Sequence, residues 1–153
     1  MLASFPSQIF NPYLLAILTA WLISQTLKVP IDYFSTKKWH WDLFFESGGM
    51  PSSHSTLVSC TALLIGLYEG FNTAAFTLAL TLAVIVIYDA THVRREAGFH
   101  AERLNMLFSE IFDGKVIDQE KLREVLGHTP TQVTVGIILG CSIALFYYLL
   151  WQL

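Results

Sequence analysis

The sequence predicts an all-α fold, an integral membrane helical bundle of about four transmembrane helices with an amphipathic interfacial segment and a helical extension outside the bilayer. Three observations carry this. Of 153 residues, 54% are hydrophobic and only 14% charged, whereas a soluble domain carries about 25% charged residues. The mean hydropathy is +0.51. The apolar residues are gathered into runs long enough to cross most of a ~30 Å hydrocarbon layer as helices. No internal repeat or low-complexity linker interrupts them, so residues 1–153 read as one membrane domain. A net charge of −3 gives no basic footprint for a nucleic-acid partner. Cys60 and Cys141 lie inside apolar runs and read as small core residues rather than a disulfide or a metal site.

Residues 1–27 carry no charged side chain, and the run from Pro12 to Leu27 forms most of a first span. It lacks the basic and small-residue flanks of a cleaved leader, which predicts a retained helix. Lys28 is expected to end it, with Pro30 just past the terminus. Residues 31–47 mix Tyr33, Phe34, Trp39, Trp41, Phe44 and Phe45 with Lys37, Lys38, Asp42 and Glu46. That composition belongs at the headgroup level. A second span is expected over 53–68, a tight turn over 69–72 and a third span over 73–88. From Asp89 the helix turns polar and leaves the membrane. A turn at 113–115 and a short surface helix at 118–124 follow. The last span covers about 131–151, and Gly136 and Gly140, four apart, let another helix pack closely on it. Four short helices make a thin bundle, so a homodimer is plausible on these grounds.

All nine Lys and Arg fall between spans one and two or between spans three and four. With four spans those connections share a side, and positive residues favour the cytoplasm. The polar chemistry is therefore expected on the cytoplasmic face. Three clusters gather there. The first is Gly48-Gly49-Met50-Pro51-Ser52-Ser53-His54-Ser55, where Pro51 suits a first helical turn and Ser52 or Ser53 can cap it. A helix start of this kind suits a phosphate. The second is Asp89 through Arg95, in which Arg94 and Arg95 supply planar donors for phosphate oxygens; Lys28 adds a point charge. The third is His128 at the mouth of the last span. Two histidines on separate helices suit phosphoryl transfer, one attacking phosphorus and the other protonating the leaving oxygen.

Met50-Pro51-Ser52-Ser53-His54-Ser55 resembles the Pro-Ser-Gly-His motif of the type 2 phosphatidate phosphatase superfamily, which also contains the vanadium haloperoxidases. Leu126-Gly127-His128-Thr129-Pro130-Thr131-Gln132-Val133 resembles that superfamily's last motif, Gly-x-His-Tyr-Pro-x-Asp-Val. With Asp89-Ala90-x-x-Val93-Arg94-Arg95-x-x-Gly98 and Leu104-Asn105, the chain is similar to the small divergent branch found in bacteria and plastids, over roughly residues 25–140. The resemblance implies a phosphatase of the bacterial inner membrane or a plastid membrane that needs no metal or cofactor and acts on a lipid phosphate through a phosphohistidine. Phosphatidate, phosphatidylglycerol phosphate and prenyl diphosphates are all compatible substrates. By motif position His128 is the nucleophile and His54 the general acid, while Ser52 and the backbone around Ser53 bind phosphate.

The chain departs from the superfamily pattern at three places. Ser35 stands where the first motif has Arg, the nearest arginine to the last motif is Arg123, and Gln132 replaces the Asp that orients the nucleophile. Asp89 is the candidate for that orienting part, and Arg94 and Arg95 for the missing arginines. Two other classes stay open. Asp89, His92, Glu96 and His100 share one helix face and could contribute to a metal site, although the same spacing describes a solvated face. A non-catalytic binder of lipid-phosphate headgroups would keep the pocket without turnover.

Overall fold

The computed structural model describes residues 11–46, 48–111 and 127–151. The turn expected at 113–115 and the helix expected at 118–124 lie outside them. Among the described residues every regular element is helical.

Helix α1, Pro12–Thr36, starts on Asn11, whose side chain accepts from the Tyr13 amide, with Pro12 in the first turn. It does not stop at Lys28 but continues through Pro30 for another two turns, correcting the expected end. A proline costs the helix one backbone hydrogen bond. Here the turn it interrupts is fixed by buried Gln25, Lys28 and Val29. The helix ends where Lys37 turns left-handed, φ 58°, and its N–H closes on the Tyr33 carbonyl. A short 3-10 turn, Trp41–Phe44, follows. Tyr33 stacks on Trp39 at 4.4 Å and Trp39 on Trp41 at 5.6 Å. Trp39 and Trp41 remain exposed, as expected of an interfacial segment.

Helix α2, Ser53–Glu69, is capped by Ser52, whose side chain accepts from the Ser55 amide. Pro51 thus precedes the cap instead of opening the first turn, because Ser52 uses its own N–H outside the helix, donating 3.1 Å to the Gln132 carbonyl. Helix α3, Ala74–Tyr88, is capped by Thr73. A π-helical turn, Asp89–Val93, carries it into α4, Arg94–Ile111. Helix α5 spans Pro130–Trp151.

Helix α2 is the centre of the bundle. It packs on α1, α3 and α5, and α1 also packs on α5. Three helical stretches, Pro12–Thr36, Ala74–Phe108 and Pro130–Trp151, are long and apolar enough to cross a membrane. At 17 residues α2 is shorter, about 25 Å at 1.5 Å per residue, and lies among them. The chain is a multi-pass membrane protein. At the end away from Ser52, Ala16, Ala20, Cys60, Leu64, Ile143 and Ala144 form the core.

The contact between α2 and α5 is backbone to backbone. A β-carbon on Gly136 would lie 2.6 Å from the Ser52 carbonyl oxygen, and one on Gly140 2.2 Å from that of Thr56. Gly140→Ala should therefore lower stability by about 1–3 kcal/mol through overpacking, read as a fall in the thermal midpoint in detergent. Gly48→Ala, whose β-carbon meets nothing within 4 Å, should leave that midpoint nearly unchanged.

Candidate active site

The starts of α2 and α5 and the π turn meet at one end of the bundle. Two backbone bonds hold them together: the Ser52 N–H to the Gln132 carbonyl at 3.1 Å, and the His128 N–H to the Ala90 carbonyl at 3.0 Å. The π turn makes the second bond possible. Arg94 sends its N–H to the Asp89 carbonyl, one residue further back than an α-helix would, and this leaves the Ala90 carbonyl open to His128. Gly127 fits because a β-carbon there would lie 2.4 Å from the Arg95 backbone nitrogen.

His128 is buried, 5% exposed. Its ring faces Gln132, with Nδ1 3.2 Å from Oε1. The same oxygen accepts the Thr129 N–H at 2.9 Å, while Thr129 Oγ1 accepts the Gln132 N–H at 3.3 Å. Thr129 and Gln132 thus form a reciprocal capping box, with Pro130 in the first turn. The box decides the chemistry of the ring. A backbone N–H can only donate, so the atom it meets is the amide oxygen, and Nδ1 facing that oxygen must carry the proton. Nε2 then holds the free lone pair.

Burial pushes the His128 imidazolium below its ordinary pKa. The Gln132 acceptor opposes that, and nearby His54, Lys28 and Arg94 lower it further. His128 is therefore held neutral, with His54 and two cations within electrostatic reach. His54, on the first turn of α2, is half-buried and feels Arg94, Lys28 and Asp89.

The remaining residues singled out in the sequence take definite places. Lys28 is 1% exposed and donates from Nζ to the Glu46 carbonyl at 2.6 Å; its stem packs against Gly49, whose φ is +85°. Ser52 Oγ accepts from Ser55 Oγ at 3.0 Å as part of the cap. Ser53 Oγ donates to Gln25 Oε1 at 2.6 Å. The first-turn amides of Ser53 and His54 have no intrahelical acceptor, as at any helix start. Arg94 Nε donates to Asp89 Oδ2 at 2.6 Å. Asp89 therefore orients Arg94, while Gln132 takes the place beside His128 that the sequence reading offered to Asp89. The Arg95 guanidinium lies over the Phe99 ring, 5.6 Å from its centroid, and is not among the charges felt by His54 or His128.

His92 stacks on Tyr88 at 4.4 Å, and among the described residues no three His, Cys, Asp or Glu side chains gather as a metal site. Sequence reasoning missed Gln25, which joins Phe44 to Ser53 by accepting from Ser53 and donating 2.9 Å to the Phe44 carbonyl. A lone amide in an apolar span was the signal for it. The Thr129-Pro130-Thr131-Gln132 spacing was the signal for the capping box.

The placements separate the two arginines. Arg94→Ala should weaken vanadate binding about tenfold, the scale of one charge-assisted hydrogen bond. Arg95→Ala should leave it within about twofold. Vanadate-dependent thermal shift in detergent measures both, and equal losses would place Arg95 at the anion as well.

A family model described as the divergent PAP2 family matches residues 9–143. The uncharacterized membrane protein YuiD of Bacillus subtilis is 36% identical over 143 residues, spanning 86% of this chain and 90% of that one. No solved structure shows a significant match.

Proposed function

The chain belongs to the divergent PAP2 family, and we propose that it is a membrane-embedded phosphatase that hydrolyses a lipid phosphate through a phosphohistidine on His128. The observation that carries this reading is the Nδ1–H···Oε1 contact between His128 and Gln132, fixed by the capping box. It leaves Nε2 with a lone pair on a ring kept neutral by burial, which is what a nucleophile toward phosphorus needs.

In the first step His128 Nε2 attacks phosphorus while the bond from phosphorus to the ester oxygen breaks. His54, protonated once the phosphate dianion lies beside it, passes its proton to that oxygen and the lipid alcohol leaves. In the second step neutral His54 takes a proton from water, whose oxygen attacks phosphorus. The nitrogen–phosphorus bond breaks and inorganic phosphate is released. Arg94, oriented by Asp89, and the Lys28 ammonium balance the phosphoryl charge. The amides of Ser53 and His54 at the start of α2 offer further donors. Ser53 serves this site chiefly by shaping its backbone, since its hydroxyl donates to Gln25, whereas Ser52 Oγ only accepts within the cap and keeps its O–H for a phosphate oxygen. The clustering of positive charge beside the interfacial aromatics supports a substrate held at the headgroup level of the membrane.

His128→Ala should abolish turnover and any acid-labile phosphoenzyme. His54→Ala should slow lipid substrates by ~10²–10⁴-fold, the usual weight of general acid catalysis, yet still form phosphoenzyme from an aryl phosphate, whose leaving oxygen needs less protonation. The pH profile adds a signed test. Activity requires neutral His128, so its acid limb should lie below the ordinary imidazole range. Gln132→Glu, which can keep the capping box and places a carboxylate on Nδ1–H, should raise the His128 pKa and move that limb upward. Vanadate binding without turnover of any phosphate ester would replace the phosphatase with a headgroup binder.

A further inference from the structure

Beside His54 a slot of about 450 Å³ opens between α1 and α3. Both helices pack on α2 but hardly touch each other, so a gap is left between them along the side of the bundle. The slot is polar at one end, where Lys28, Glu46 and His54 line it, and mostly apolar along the rest, where Trp21, Leu57, Val58 and Val86 form the walls. These positions give it a direction. Trp21 lies seven residues before Lys28, about 10 Å along α1 at 1.5 Å per residue. Leu57 and Val58 lie roughly one turn beyond His54 on α2. The polar end is thus at the mouth of the bundle and the apolar end deeper in the membrane, the polarity of an amphiphile standing in its own leaflet.

We propose that this slot takes one hydrocarbon chain of the phosphate ester directly from the bilayer, with Trp21, Leu57, Val58 and Val86 reading its length while the phosphate lies between His54 and His128. The inference rests on the phosphatase reading above and deepens it. Displacement at phosphorus puts nucleophile and leaving group on opposite sides. His128 does not line the slot and His54 does, so the lipid side of the ester falls to the residue that protonates the leaving oxygen. The volume sits near the low end of the ~300–1,000 Å³ range of small-ligand cavities, which suits one chain and not two. Trp21 is 43% exposed and stands at the opening, where a chain can pass from lipid into protein without crossing water.

A series of straight-chain alkyl phosphates of increasing length tests this in detergent-solubilised full-length protein. In the wild type kcat/KM should rise by up to roughly fourfold per added methylene until the slot is full, then level off. Val86→Trp fills the slot from α3 and should flatten that rise, lowering the ratio of long-chain to short-chain kcat/KM at least ~10-fold. Leu57→Ala lengthens the slot and should move the plateau to longer chains. A rise that stays unchanged in both folded variants overturns the proposal. A long-chain alkyl phosphate carrying a terminal diazirine adds a readout independent of turnover. Adducts confined to peptides bearing Trp21, Leu57, Val58 or Val86 support the slot even in protein that hydrolyses nothing, which would sink only the enzyme reading. Adducts spread over the lipid-facing side of α3, with turnover intact and indifferent to chain length, would sink the slot and leave the phosphatase standing.

Discussion

The Ser52 and Thr56 carbonyls of α2 lie where β-carbons on residues 136 and 140 of α5 would have to be, and most of the site follows from that closeness. Apolar side chains gain little by leaving lipid for protein, so helices in a bilayer are held by close packing and polar bonds. Two glycines one turn apart let the backbones of α2 and α5 meet. Once they meet, the Ser52 N–H reaches the Gln132 carbonyl. The starts of the two helices then lie side by side, with His54 on one and His128 just before the other. Wider spacing would break that bond and move the histidines apart. The proposed reaction, whose proton and phosphoryl carriers sit on different helices, would depend on this spacing more than on any single side chain.

The electrostatics are arranged with comparable economy. A buried ammonium is costly unless its donors are met, and Lys28 meets the Glu46 carbonyl of the segment that folds back over α1. That segment is held a second time by Gln25, whose other end holds Ser53. The interfacial aromatics, the buried cation and the first turn of α2 therefore form one connected unit. The Arg94–Asp89 pair is different in kind. It is about half exposed, so it contributes little to stability, and its effect is to aim a guanidinium whose helix has just passed through a π turn. The same turn frees the Ala90 carbonyl for His128, so one irregularity at the end of α3 serves both Arg94 and His128.

The broad fold was legible because bilayer thickness and backbone satisfaction leave few alternatives to a helical bundle. The roles of Gly136 and Gly140 were legible for the same reason, since small residues four apart mark a close helix contact. Helix ends were less so. Lys28 and Pro30 together look like a terminus, but tertiary packing of Lys28 and Val29 carries α1 onward to Thr36. The π turn left no mark in composition or periodicity, because it is a change in backbone register produced by what packs against it. Without it, Arg94 and Arg95 looked equivalent as neighbours in a basic pair. The structure turns one toward Asp89 and the histidines and the other toward Phe99. The clustering of His54 and His128 was readable from their places at the mouths of spans, whereas the partner of His128 depended on one oxygen and its distances.

That oxygen also explains how the site can depart from its superfamily's pattern at residue 132. An aspartate there would be one methylene shorter than Gln132 and less able to reach back to the Thr129 N–H while also meeting His128 Nδ1. The glutamine does both with Oε1, so the helix cap and the orientation of the His128 ring are joined in a single atom. The exchange has an electrostatic consequence. A carboxylate would stabilise positive charge on the ring more strongly than an amide dipole does, favouring the imidazolium before the reaction as well as the cationic phosphohistidine after attack. With the amide, burial dominates and the resting ring stays neutral with its lone pair available. In the proposed mechanism the positive charge that develops on the ring during attack is balanced mainly by the dianionic phosphoryl group itself, with Lys28 and Arg94 as its counter-charges. A buried histidine beside two cations is poorly suited to being charged alone and well suited to being charged only when a phosphate is bound to it.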